Sequence, residues 1–128
     1  MSPVLERKPA GRRVLLVDDD RRILNFLRLK LAMSGYEVIT ATTGEMAVEL
    51  FETQKPDIIV MDVLMPGVSG LEVLKALRVF SDIPIIVISA STDNAEKAMR
   101  LGANVFMPKP LDPDELVSTV GTILGRGR

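Results

Sequence analysis

The sequence predicts an α/β domain in which a doubly wound parallel sheet of five strands is covered by helices on both faces. Strand-like and helix-like segments alternate five times along the chain. The segments "DIIVMD" and "IPIIVIS" are apolar at nearly every position, which is typical of strands buried on both faces. Parallel neighbours need a crossover connection, and the stretches between the strands carry apolar residues at helical spacing.

The predicted strands are short runs rich in apolar and β-branched residues, bounded by polar or turn-forming residues. They are Val14–Val17, Glu37–Ala41, Asp57–Asp62, Ile83–Ser89 and Asn104–Pro108. In a sheet with right-handed crossovers, the functional crevice lies at the carboxyl ends of the strands. We therefore expect the chemistry of the domain at the residues that end these segments.

The predicted helices are identified by their apolar spacing and by capping residues at their starts. They cover Arg21–Ser34, Thr42–Thr53, Leu71–Phe80, Thr92–Gly102 and Asp112–Leu124. In the first helix Leu24, Leu27 and Leu31 recur on one face, and Gly35 is a typical residue to end it. Capping boxes are predicted for the pairs Thr42–Glu45, Ser69–Glu72 and Asp112–Glu115.

Length and composition predict one soluble globular domain. The chain has 128 residues, of which 47% are hydrophobic and 26% are charged, as in a protein with a substantial core. Residues 12–124 are expected to form this domain. A flexible lead-in is expected at residues 1–11 and a short tail at residues 125–128.

Charge and hydropathy argue against direct contact with nucleic acid or membrane. The chain has 16 basic and 17 acidic residues, for a net charge of −1, and no polybasic run. The apolar run "IPIIVISA" is too short to cross a bilayer, and the first residues lack the apolar core of a signal peptide. A cytoplasmic location is the resulting expectation.

Two absent residue types narrow the possible chemistry. Without cysteine the chain has neither disulfides nor thiolate metal sites. Without histidine it lacks the usual general base and cannot use serine–histidine catalysis. A bound metal must be held by oxygen atoms, which favours Mg²⁺, Mn²⁺ or Ca²⁺.

Charged and hydroxyl side chains gather where the predicted strands end. They are Asp18, Asp19, Asp20, Asp62, Ser89 and Lys109. Carboxylates a few ångströms apart cannot all stay ionised unless a cation shares the site, and a divalent ion with oxygen ligands meets that need. A carboxylate beside such an ion can take up a phosphoryl group, whose oxygens a lysine and a serine would compensate.

Four sequence segments, "LLVDDD", "MDVLMPGVSG", "VISA" and "PKPL", together resemble the motif set of bacterial response-regulator receiver domains, the CheY-like domains. The resemblance covers roughly residues 12 to 124. It implies a flavodoxin-like sheet with strand order 2-1-3-4-5 and a phosphoryl group accepted on aspartate from a histidine kinase or phosphotransfer protein. It also implies that the domain catalyses only its own phosphoryl uptake and slow autodephosphorylation, and is otherwise not an enzyme.

The resemblance assigns the acceptor and the metal ligands. Asp62 matches the phosphorylated aspartate. Asp18 and Asp19 match the acidic pair that holds Mg²⁺ (or Mn²⁺) together with Asp62, Asp19 directly and Asp18 through water. The backbone carbonyl of Leu64 matches a further protein ligand.

The resemblance also assigns a switch. Ser89 matches the hydroxyl residue that follows the phosphoryl group, and Ala90 matches its small neighbour. Lys109 matches the lysine of the phosphate site, and its bond to Pro110 matches a peptide bond that is cis in the family. Phe106 occupies the aromatic switch position, without the hydroxyl of a tyrosine, although a phenylalanine after a strand is often only a packing residue. The implied output surface is the face of the fourth helix, fifth strand and fifth helix, which would contact an output domain or protein, or a second copy upon phosphorylation.

Two other functions remain open at this stage. Asp18 and Asp20 have the spacing of the nucleophile and second aspartate in haloacid-dehalogenase-like phosphatases, but Arg21 and Arg22 stand where that class has glycine and threonine. A receiver-like scaffold that binds its partner without phosphorylation is the other, and the intact set of acidic, serine and lysine residues argues against it. Asp20 alone is also explained as a helix cap.

Overall fold

A computed structural model describes residues 12–125. The strands form one parallel sheet in the predicted order, β2-β1-β3-β4-β5. They are β1 (Arg13–Val17), β2 (Glu37–Ala41), β3 (Ile58–Asp62), β4 (Ile85–Ser89) and β5 (Val105–Pro108). The helices are α1 (Arg21–Met33), α2 (Gly44–Gln54), α3 (Gly70–Arg78), α4 (Asp93–Arg100) and α5 (Pro113–Leu124). The predicted lead-in at 1–11, and all of the predicted tail except Gly125, lie outside the described residues.

Several elements are shorter than predicted, and β4 and α3 show the local reason most clearly. β4 begins at Ile85 rather than Ile83, because Pro84 has no N–H for the ladder. The carbonyl of Pro84 still accepts from the Ile59 N–H at 3.0 Å. The regular part of α3 ends at Arg78, and Val79 and Phe80 continue it only as a final turn that donates to Ala76 and Leu77.

The ends of α1 and α3 follow the predicted capping chemistry. Asp20 caps α1 by accepting from the backbone N–H of Arg22 at 3.0 Å and of Ile23 at 3.4 Å. Ser69 and Glu72 form the predicted capping box of α3. At the end of α1, Gly35 adopts φ +98°, a conformation that suits glycine.

The prediction for the start of α2 is wrong by one residue. Thr43, not Thr42, caps the helix by accepting from the Met46 N–H at 3.0 Å, so Glu45 falls at the second helical position, where it cannot close a capping box. At α5, Asp112 caps as predicted by accepting from Asp114 at 2.9 Å, but within residues 12–125 Glu115 makes no return bond.

Apolar layers lie on both faces of the sheet, as its two-sided strands predict. α2, α3 and α4 cover one face, and α1 and α5 cover the other. Every residue of β3 and β4 is buried. The buried strands thus form the centre of the domain, and they fix the position of the polar residues at their carboxyl ends. Within the described part of the chain, no helix is long and apolar enough to cross a membrane.

Candidate functional site

Strand register brings the predicted site residues to one edge of the sheet. Val17 pairs with Met61, so Asp18 and Asp62 each follow directly at the ends of neighbouring strands. Asp62 in turn lies opposite Ile88, one residue before Ser89. Ser89 is paired with Pro108, and its carbonyl accepts from the Lys109 N–H at 2.9 Å. The sheet therefore positions the carboxylates, the hydroxyl and the ammonium group as the sequence predicted.

Three carboxylates meet at this edge. One carboxylate oxygen from each of Asp18, Asp19 and Asp62 lies within 4.8 Å of the others. Asp18 and Asp62 are each only 4% exposed, whereas Asp19 is open to solvent. A cluster made only of oxygen ligands, with one open side, fits a hard divalent cation that keeps some of its water molecules.

Lys109 supplies the only positive charge that contacts this cluster among the described residues. Its Nζ lies 3.3 Å from Asp62 Oδ2 and 3.4 Å from Asp18 Oδ2. Burial alone would lower the pKa of Lys109, but the attraction of Asp62 and Asp18 outweighs it, so the pKa is raised above its usual value. The lysine is therefore held in its charged form.

The single positive charge of Lys109 does not neutralise the three carboxylates. Burial raises the pKa of Asp62 and the charge of Asp18 adds to that rise, while Lys109 and the Leu64 N–H oppose it; the pKa of Asp62 ends above its ordinary range. The ionised cluster is thus short of positive charge, which is the electrostatic condition for a metal site.

The remaining carboxylate oxygens are oriented by backbone N–H groups. Asp18 Oδ1 accepts from the Asp20 N–H at 2.9 Å, and Asp62 Oδ1 accepts from the Leu64 N–H at 3.4 Å. The Asp20 carboxylate instead caps α1. Asp18 and Asp20 therefore do not share a site, which removes the geometric basis of the hypothesis that the chain is a haloacid-dehalogenase-like phosphatase.

Ser89 is completely buried beside this cluster. Its Oγ accepts from the Ser91 N–H at 3.0 Å and from Asn94 Nδ2 at 3.2 Å. Within the described part of the chain, Ser89 makes no hydrogen bond to the side chain of Asp62 or Lys109. Ala90 follows as an exposed residue. The contact with Asn94 had no signal in the sequence, because Asn94 lies within an otherwise ordinary polar helix.

Phe106 and Pro110 flank the lysine. Phe106 pairs with Val87 in the sheet, is half-buried and packs against the apolar layer formed with α2, α3 and α4. The Lys109–Pro110 peptide bond is cis, as the resemblance implied.

Gly70 approaches the acceptor strand very closely. Its N–H donates to the Val63 carbonyl at 2.9 Å. A Cβ at this position would lie 2.5 Å from the backbone oxygen of Asp62 and 2.8 Å from the Cα of Val63. Only glycine lets α3 start this close to the strand end that carries Asp62.

The fold and the site define a receiver domain. The chain matches the response regulator receiver domain family over residues 14–121, and it belongs to that family. The predicted function, a phosphorylation-activated signalling receiver, is confirmed at the level of this family. Response regulators of two-component systems act with histidine kinases and output domains, and the phosphatase alternative is not favoured.

Individual relatives agree with this assignment. The chain is 42% identical over 119 residues to the alkaline phosphatase synthesis transcriptional regulatory protein PhoP of Bacillus subtilis, covering 91% of this chain and 50% of that protein. The chain thus spans about half the length of the curated relatives it matches.

Solved structures are similar over almost their whole length. The receiver domain of the Francisella response regulator 1452 is 33% identical, with a TM-score of 0.85 and coverage of 91% of this chain and 99% of that chain. TrrA of Thermotoga maritima, solved in complex with Mg(2+)-BeF, is 34% identical, with a TM-score of 0.81 and coverage of 88% and 98%.

Proposed function

We propose that Asp62 is the residue that accepts the phosphoryl group, from a histidine kinase or a phosphotransfer protein. The observation that carries the proposal is the meeting of the buried Asp62 carboxylate with Asp18, Asp19 and Lys109. Phosphoryl transfer needs positioning and charge compensation more than covalent chemistry, and this set supplies both.

The transfer is a substitution at phosphorus. A carboxylate oxygen of Asp62 forms the new O–P bond as the N–P bond of the phosphohistidine breaks, and the electron pair of that bond stays on the imidazole nitrogen. The ionised carboxylate needs no base to remove a proton, in agreement with a chain that contains no histidine. Lys109, held in its charged form, compensates the negative charge of the incoming phosphoryl oxygens.

Mg²⁺ (or Mn²⁺) is the proposed cofactor. Asp18, Asp19 and Asp62, with the backbone carbonyl of Leu64, are the residues that would hold it. When bound, the ion supplies positive charge that neutralises the carboxylate cluster and the phosphoryl oxygens. The exposed Asp19 leaves the open side through which water and a phosphoryl oxygen can complete the coordination.

Ser89 and Phe106 are the proposed switch, and Ala90 is the small neighbour that leaves space for the phosphoryl group. Ser89 would turn to donate its hydroxyl to that group, and the ring of Phe106 would follow. This change would alter the face formed by α4, β5 and α5, which would bind an output domain, an output protein or a second copy of the domain. The domain itself would act in the cytoplasm, without direct contact to nucleic acid.

Intact-protein mass spectrometry after incubation with acetyl phosphate and MgCl₂ tests the acceptor. The wild-type chain is expected to gain one phosphoryl group, and Asp62→Asn none. Asp57→Asn is the matched control, because it changes an aspartate outside the site and keeps an oxygen to accept from the Arg13 N–H. An unmodified wild type, or equal labelling of Asp62→Asn, contradicts the proposal.

A further inference from the structure

Asn94 connects the start of α4 to the hydroxyl of Ser89. Its Nδ2 donates to Ser89 Oγ at 3.2 Å, across the loop between β4 and α4. The same oxygen accepts from the Ser91 N–H at 3.0 Å. Both acceptor positions of this buried hydroxyl are therefore occupied by donors from the α4 side.

Few other side chains hold the start of α4. Thr92 is its N-cap residue, yet the Thr92 side chain makes no capping hydrogen bond. Of the eight residues of α4, only Ala98 is buried. The bond from Asn94 to Ser89 is thus a main side-chain connection between the first turn of this helix and the sheet.

The bonds from Ser91 and Asn94 leave the one O–H donor of Ser89 free, so they compete with a phosphoryl group only through the position of the hydroxyl oxygen. In the present structure the hydroxyl oxygen faces the donors of the α4 loop, and among residues 12–125 it has no bond to Asp62 or Lys109 side chains. To donate to a phosphoryl group on Asp62, the hydroxyl must rotate or move toward the neighbouring strand. Asn94 keeps its bond to the moved hydroxyl only if its side chain or the first turn of α4 moves as well.

We propose that Asn94 is a positioning residue that holds Ser89 away from the acceptor site and so favours the resting state of the domain. The inference rests on the proposed function of Asp62. Phosphoryl uptake exchanges the Asn94 bond for a bond to the phosphoryl group, and this exchange frees the start of α4. The strength of one side-chain bond then sets how much of the resting protein is ready for the phosphoryl group.

The expected effect follows from the population of the competent state. The apparent dissociation constant of a phosphoryl analogue equals the intrinsic constant divided by the competent fraction. A single hydrogen bond favours the resting state roughly two- to tenfold. Removing it should tighten binding of the analogue by the same factor.

The test is a titration with beryllium fluoride and MgCl₂, followed by amide chemical shifts of ¹⁵N-labelled protein. Asn94→Ala should bind roughly two- to tenfold more tightly than the wild type. Thr92→Ala is the matched control, since Thr92 lies at the same end of α4 and its polar side chain makes no capping bond. This variant should bind the analogue as the wild type does. If alanine destabilises α4, Asn94→Leu removes the same donor and keeps the side-chain bulk.

A Ser89→Ala background separates positioning from a general effect on the helix. There the Asn94→Ala change should leave the affinity unaltered, because the hydroxyl that Asn94 restrains is gone. Equal or weaker binding by Asn94→Ala in the Ser89 background overturns the inference while leaving the acceptor role of Asp62 intact. A wild type that fails to bind the analogue overturns the proposed function, and the inference with it.

Discussion

The ammonium group of Lys109 lies 3.3 Å from Asp62 Oδ2 and bridges that carboxylate to Asp18, 3.4 Å away. This one positive charge faces three carboxylates. Burial, with the charge of Asp18 added to it, raises the pKa of Asp62 despite the attraction of Lys109, while Asp62 and Asp18 raise the pKa of Lys109. The site is therefore under electrostatic strain until a further cation or a change of protonation relieves it.

Asp62→Asn should stabilise the metal-free domain at neutral pH. The change removes a buried charge whose burial and whose repulsion by Asp18 outweigh the attraction of Lys109. The expected gain in the free energy of unfolding is on the order of 1 kcal/mol. Urea unfolding followed by far-ultraviolet circular dichroism, with a chelator present, measures it; the chain has no tryptophan for fluorescence.

The pH dependence of this gain has a defined sign. Because the folded state binds the Asp62 proton more tightly than the unfolded chain, the stability linked to this proton is fully present below the ordinary aspartate pKa. It is lost as the pH rises through the raised pKa of the folded state. The difference between Asp62→Asn and wild type should therefore grow with pH in this acidic range. A constant difference contradicts the strained-site account.

Lys109 should give a second pH dependence in the alkaline range. Its charged form is favoured by Asp62 and Asp18, so its contribution to stability is present below the ordinary lysine pKa of 10.5 and is lost as the pH rises through its raised pKa. Wild type should thus approach the stability of Lys109→Met as the pH rises above that value. The comparison of the two urea midpoints across alkaline pH measures this, and parallel curves contradict it.

Asp19 and Asp20 offer a matched pair for the metal site. Asp19→Asn removes one predicted ligand charge and should raise the Mg²⁺ concentration needed for half-saturation at least about tenfold. Asp20→Asn removes the same charge from the adjacent residue, but asparagine caps a helix as well as aspartate does, and Asp20 is not in the cluster. Asp20→Asn should therefore leave Mg²⁺ affinity within about twofold of the wild type.

Thermal unfolding with and without Mg²⁺ measures how much the ion stabilises each of the two variants. A ligand at 100 times its dissociation constant stabilises a protein by about 2.7 kcal/mol, so the wild type and Asp20→Asn should both gain this much at the same Mg²⁺ concentration. Asp19→Asn should gain distinctly less. Equal gains for all three proteins would exclude Asp19 as a ligand.

Much of the fold could be predicted because its signals are local. Apolar runs marked the buried strands, and Ser69 with Glu72 marked a helix start that depends only on neighbouring residues. The position of the site could be predicted from topology, since parallel strands place Asp18 and Asp62 at the same edge of the sheet whatever the exact bounds of the strands. The offset from Thr42 to Thr43 shows the limit of a local pattern, because two adjacent threonines offer two possible caps.

Contacts between distant segments could not be predicted in this way. Arg78 donates from Nε to the Gly102 carbonyl at 3.0 Å and from a terminal nitrogen to the Ser81 carbonyl at 3.0 Å. Its other terminal nitrogen contacts Asn104 Oδ1 at 3.1 Å. In sequence Arg78 is only a basic residue in the last turn of a helix. Its partners, like the Asn94 partner of Ser89, are fixed by the packing of whole elements.

Arg78→Lys should destabilise the domain although the charge is kept. Lysine cannot donate in three fixed directions, so carbonyls of the loops before β4 and β5 lose their donors. The expected loss is about 1–3 kcal/mol. Arg100→Lys is the matched control, because Arg100 makes an exposed pair with Glu96 at 2.9 Å, worth at most about 0.5 kcal/mol. Equal urea midpoints for the two variants would contradict this role of Arg78.

Gly70→Ala should disturb the acceptor site by displacing the backbone at the end of β3. An added Cβ would lie 2.5 Å from the backbone oxygen of Asp62 and 2.8 Å from the Cα of Val63, and neither backbone atom can turn away as a flexible side chain can. Either α3 retreats or the end of β3 shifts. We expect a loss of about 1–3 kcal/mol in the free energy of unfolding, and slower labelling of Asp62 by acetyl phosphate.

Gly67→Ala separates this steric effect from ordinary glycine strain. Gly67 lies three residues earlier, in the loop between β3 and α3, at φ +77°, and a Cβ there meets nothing within 4 Å. Alanine at this position costs about 1 kcal/mol of backbone strain and leaves the strand end in place. Gly67→Ala should therefore be less stable than the wild type, but its Asp62 should be labelled at the wild-type rate. Gly70→Ala should lose both stability and labelling rate. If the two variants lose labelling rate equally, the loop as a whole controls the acceptor, and the close approach of Gly70 has no special part in positioning Asp62.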